Sequence, residues 1–158
     1  MRKQKGFSLI ELLIVVAIIL IIAAIAIPNL MRSRIAANHA AAAANMRTIN
    51  TAEVTYMTSY PESGYSVDLA TLAGTGTAAT STNALLIDST LAASVDATHL
   101  KSGYYFVYKA GTAPATTYTL TGTAASASTG VNSYFTDQTA VIRYSNTATA
   151  ADGTSPAI

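Results

Sequence analysis

The sequence has no cysteine, which excludes disulfides and thiolate metal sites and leaves no redox compartment to read from thiols. Histidine occurs only at His39 and His99, far apart in sequence, so neither has a second imidazole at metal-ligand spacing. No Asn-x-Ser/Thr triplet is present, so N-glycosylation is not indicated. Charged residues make up only 11% of the chain, against about 25% in an ordinary soluble domain. The net charge of +1 gives no electrostatic case for nucleic acid or another polyanion. There is no Ser/His/Asp or Cys/His set, no phosphate loop and no metal-ligand cluster, so neither an enzyme nor a cofactor is expected.

The scarcity of charge is partly local, because residues 12–27 carry no polar side chain at all. Before them, Met-Arg-Lys-Gln-Lys-Gly brings three positive charges, Arg2, Lys3 and Lys5. The apolar run from Phe7 to Ile27 is broken only by Ser8 and Glu11. As a helix it reaches roughly 30 Å, the thickness of a hydrocarbon core, so a transmembrane helix is predicted. A removable secretory signal fits less well. Its apolar region is shorter, and this run continues into an Ala-rich helical pattern despite Ala-Ile-Ala at 24–26. Arg32 and Arg34 follow on the far side, so the flanking charges lean only three against two toward a cytoplasmic N-terminus.

Glu11 is the informative residue, because a carboxylate inside an apolar helix costs several kcal/mol unless it lies shallow or finds a partner. It has two readings. In one it is a helix-start carboxylate favoured by the macrodipole. In the other the chain is cut between Gly6 and Phe7, which creates an amine one helical turn before Glu11 on the same face. The stretch Lys5-Gly6-Phe7-Ser8-Leu9-Ile10-Glu11-Leu12-Leu13 resembles the cleavage and N-methylation motif of type IV prepilins, shared with the pseudopilins of type II secretion. The resemblance implies that residues 1–6 are a leader removed after Gly6 by a prepilin peptidase that also methylates Phe7. The subunit would then wait in the inner membrane as a single-pass protein with a cytoplasmic N-terminus. Assembly machinery there would build it into a homo-oligomeric helical filament, with Glu11 engaging the Phe7 amine of a neighbour. Pro28 also matches the family, where proline at this point kinks the helix. Many relatives have glycine where this chain has Leu20, so unwinding between those points is less expected here.

Residues 29–58 lack glycine and proline and are rich in alanine, a strong helix former. Ile35, Ala42, Ile49 and Tyr56 recur every seven residues, with Met46, Ala52 and Tyr60 on or beside the same stripe. An amphipathic helix is predicted, its stripe facing a C-terminal domain from Ile49 onward. The smoother Ala-rich part suits close helix–helix approach. His39 reads as a surface or interface histidine, and Arg32, Arg34 and Arg47 as solvated charges.

Pro61-Glu62-Ser63-Gly64 is turn chemistry that ends the helix. Residues 66–74 predict a short helix with Ser66 as N-cap and Gly74 as stop, followed by a flexible tract to Asn83 and another helical turn within 84–92. From Gly103 the period becomes two. Strands are predicted at 104–108 and 118–123, with a hairpin of 131–136 and 139–145 around Asp137-Gln138. The fold class is therefore α+β: a long N-terminal helix packed on an antiparallel sheet of three to four strands. The parts are a leader (1–6), a transmembrane and assembly helix (7–28), an amphipathic helix (29–60) and a globular domain (61–158). Asp152-Gly153 belongs to no dense oxygen-ligand pattern, so calcium is not expected. No aromatic residue lies between Phe7 and Tyr56, which argues against electron conduction along stacked rings.

The leading functional reading is a type IV pilus subunit, finally at the cell surface. The alternatives are a periplasmic type II secretion pseudopilin and a single-span anchored binding module that does not polymerise.

Overall fold

Helix α1 (Leu9–Ser59) runs without interruption through Leu20 and through Pro28. Alanine is frequent in it, above all after Pro28, and glycine does not occur. Pro28 has no N–H to donate, so one carbonyl a turn earlier loses its helical partner. The computed structural model describes residues 7–146 and 150–158, so the expected leader, Gly6 included, lies outside the described residues. The chain divides into two compact units, Met1–Arg34 and Ile35–Ile158, and α1 contributes to both.

In the first unit the apolar part of α1 is long and apolar enough to cross a membrane, and none of its most apolar 18-residue window is buried. Leu9, Ile10, Ile14, Ile18, Ile21 and Ile25 are all exposed. A core helix of a soluble protein would have these side chains covered.

The second unit is built around the apolar stripe of α1. Ala42, Met46, Ile49, Ala52 and Tyr56 are all buried, as the seven-residue recurrence predicts. They face a four-stranded antiparallel meander in the order β1-β2-β3-β4: β1 (Tyr104–Ala110), β2 (Tyr118–Ala124), β3 (Ser133–Asp137) and β4 (Arg143–Ser145). Period-two alternation puts Tyr104 and Phe106 of β1, Tyr118 and Leu120 of β2 and Tyr134 of β3 on the buried face. The register sets Gly122 between Phe106 and Tyr134. A Cβ there would lie 3.2 Å from the Phe106 ring and 3.4 Å from Met46 Sδ. Glycine at this point lets helix and sheet close on each other.

Two short helices complete the core through Leu69, Leu72 and Leu91. Helix α2 (Leu69–Ala73) stops at Gly74 as predicted, but its N-cap is Asp68, whose carboxylate accepts from Thr71 N–H at 2.7 Å. Ser66 is drawn elsewhere, to Glu53. Helix α3 (Ser89–Ala93) starts at the end of the segment where a helical turn was predicted, capped by Asp88. The tract before it holds a paired turn between Thr80 and Asn83, with Ser81 O taking the Tyr56 hydroxyl at 2.5 Å. Both outer strands have company. Phe106 N–H of β1 donates to Ser94 O (2.7 Å), and beyond β4 Tyr144 N–H donates to Pro156 O (2.9 Å) and Ile158 N–H to Ile142 O (3.0 Å).

Candidate functional site

The start of α1 joins the residues that the sequence singled out. Ser8 occupies the position before the first helical residue, and Leu12 N–H donates to Ser8 O (3.2 Å). The Glu11 side chain folds back, and its Oε2 accepts from Ser8 N–H at 2.9 Å. This is the reciprocal half of a capping box, a carboxylate in the first turn satisfying a donor that the helix cannot. The positive end of the helix macrodipole favours the charge there. Phe7, directly before Ser8, is 74% exposed. Pro28 lies within the same helix, on the apolar run's far side.

The second unit contains polar groups that the sequence reading did not single out. Glu53 is fully buried on the core face of α1. Its Oε2 accepts from Ser66 N–H (3.0 Å) and its Oε1 from the Ser66 hydroxyl (2.5 Å). Burial pushes its pKa up from the ordinary carboxyl value, outweighing the donors from Ser66 and Tyr108 that favour the anion. The Tyr108 hydroxyl donates to Ser66 O (2.9 Å), and its phenol is held far above its usual range by burial, with Glu53 adding to the effect. One turn earlier, buried Asn50 donates to Thr136 Oγ1 (3.1 Å) and Ala140 O (3.2 Å) and accepts from the Tyr118 hydroxyl (3.0 Å). The only signal in the sequence was position: Asn50 and Glu53 flank Ile49 and Ala52 on the apolar stripe. His39 packs within its own unit against Tyr104, with ring centroids 6.3 Å apart, rather than standing free on the surface.

Among the described residues no three His, Asp or Glu side chains gather where they could hold a metal. The Asp152 carboxylate is occupied by Thr154 N–H (2.9 Å), the Thr154 hydroxyl (2.7 Å) and Ser155 N–H (3.1 Å). Those donors hold its pKa below the ordinary carboxyl range. It closes a turn on itself.

Residues 1–27 match the prokaryotic N-terminal methylation motif. Over 38 residues the chain is 66% identical to the type IV wide pilus major component PilA4 of Thermus thermophilus, covering 24% of this chain and 29% of that protein. Over 54 residues it is 44% identical to the type IV major pilin protein PilA of Myxococcus xanthus, covering 34% of this chain and 24% of that protein. The motif and both relatives support a type IV pilin family for this chain. It spans less than a third of the length of these curated relatives. No solved structure matches the chain. The long helix on a four-stranded antiparallel sheet is the α+β arrangement that the spacing in the sequence predicts.

Proposed function

We propose that this pilin-family chain is the precursor of a type IV pilus subunit. Hydrolysis of the Gly6–Phe7 peptide bond by a prepilin peptidase releases the leader and leaves an amine on Phe7, which the same enzyme methylates. Residues 7–28 then hold the subunit in the inner membrane, with the N-terminus cytoplasmic, until assembly machinery passes it into a homo-oligomeric filament at the cell surface. The observation that carries this reading is Glu11, whose carboxylate already lies on the N–H of Ser8, next to the residue that would gain the amine. A methylated amine remains protonated at neutral pH. Two charges that are each costly in lipid become a paired contact between neighbouring subunits, and the pairing fixes their axial register. Pro28 would adjust the direction of the same helix during packing.

The outer face of α1 supports burial against neighbours. Thr48, Thr51, Thr55 and Thr58 each donate their hydroxyl to the carbonyl four residues back, at 2.7–3.1 Å. Their hydroxyl donors are satisfied without water, beside exposed Val54. The two curated relatives are named as pilus components, which favours the pilus over the secretion pseudopilin. The test is to shear cells, collect fibres and sequence the protein's N-terminus. N-methylated Phe7 in sheared fibres is expected, and unprocessed Met1 confined to the membrane fraction would overturn the proposal.

A further inference from the structure

The loop 125–132 between β2 and β3 is tied to α1 by two adjacent helix residues. Asn38 Nδ2 donates to Thr129 O at 2.7 Å, and Val131 N–H donates to His39 Nε2 at 3.1 Å. A backbone amide can only donate, so Nε2 must be the acceptor and the proton of the neutral ring sits on Nδ1. The Tyr134 hydroxyl donates to His39 O (3.3 Å), and the Tyr104 hydroxyl donates to Asn132 O (2.8 Å) at the end of the same loop.

We infer that His39 is an acid-sensitive clasp: the neutral imidazole holds Val131 against α1 and the imidazolium releases it, while Asn38 and Tyr104 keep hold of Thr129 and Asn132 on either side. Protonation puts a second N–H on Nε2, facing the N–H of Val131, so an attractive contact becomes donor against donor. The titratable groups that meet His39 come from the sheet: Tyr104 of β1 packs on the ring, and Tyr134 of β3 donates to the backbone carbonyl. Burial raises both phenols, so they are neutral wherever histidine titrates. Among the described residues His39 has no carboxylate ion-pair partner to hold the extra charge. Burial accordingly lowers its pKa from the ordinary value of 6.5. A group with a depressed folded-state value contributes stability above its unfolded value and loses it as pH falls, so release begins below about pH 6.5. Gly130, Val131 and Asn132 also line a groove of about 460 Å³, whose shape changes when Val131 lets go.

The test uses the full chain, ¹⁵N-labelled in detergent micelles, followed by NMR from pH 7.5 to 4.5. His39 is expected to titrate below 6.5, with the hydrogen-exchange protection of Val131 falling in step. Core amides such as Phe106 should keep their protection, which separates loop release from unfolding. The loss at Val131 should equal the ratio of the His39 acid constants in the bound and released states, tenfold for each pH unit separating them. His39→Gln should abolish the pH dependence at Val131, while His99→Gln should leave it intact. Unchanged Val131 protection as His39 protonates, or a His39 midpoint at or above 6.5, overturns the inference. The wild-type titration decides the matter even where the His39 variant does not fold.

Discussion

Ser66 gives both its backbone N–H and its hydroxyl to the two oxygens of Glu53, 13 residues earlier in the chain. The pair joins the buried face of α1 to the segment that leads out of it. A carboxyl is retained there inside the core, close to the hydroxyl that Tyr108 sends to Ser66 O.

Glu53 therefore gives stability a pH signature. Its folded-state value is raised above the ordinary 4.5, so its contribution is fully present below that pH and is lost as pH rises through the folded value. A tenfold difference in its acid constant between the folded and unfolded chain corresponds to about 1.4 kcal/mol. Melting temperature should fall on this account as pH rises from 4.5, and the difference between wild type and Glu53→Gln should carry that slope. Thermal unfolding of both proteins over pH 4.5–8 checks it; a pH-independent difference would count against the assignment. Glu53→Ala strands both donors of Ser66 and should cost about 3 kcal/mol, with the larger cost at low pH where Glu53 contributes most.

Asn50 joins the helix to β2, β3 and the β3–β4 connection through Tyr118, Thr136 and Ala140. Asn50→Ala should destabilise the protein by about 2–4 kcal/mol, because buried Tyr118 and Thr136 and the Ala140 carbonyl lose their contact together. Denaturant titration should show the loss as a lower midpoint at unchanged slope.

Gly122→Val forces a β-branched side chain against Phe106 and Met46. Overpacking of this kind costs about 1–3 kcal/mol. Circular dichroism during heating should show the lower melting temperature, with α1 helicity retained at low temperature.

Glu11→Ala should leave membrane insertion intact, since it only makes the apolar run more apolar. It should abolish or strongly reduce sheared filaments while the processed subunit accumulates in the membrane. Wild-type filament yield from the variant would contradict the pairing role.

The apolar run, the heptad-spaced stripe and the strands were legible in sequence because each signal is local and periodic. The Tyr104/Phe106 alternation and the Ile49/Tyr56 recurrence report burial directly. What escaped was decided by partners far along the chain. Ser66 has the chemistry of an N-cap, yet Glu53 claims its hydroxyl, so the cap passes to Asp68. His39 resembled a surface or interface residue because its acceptor role depends on Val131, 92 positions later. Asn50 and Glu53 were polar letters in an apolar stripe, and only folding brings them the donors and acceptors that make burial tolerable.

Residues 156–158 pair strand-like beyond β4, and Ser94 takes the Phe106 amide of β1, so part of each margin of the sheet is covered. Proteins crowded side by side are prone to merge sheets through bare strand margins and lock into irreversible aggregates. Here the chain itself covers the stretch around Phe106 and the stretch around Tyr144, which hinders such fusion. In the filament proposed above, neighbours would then meet mainly through side-chain surfaces, whose contacts can be undone.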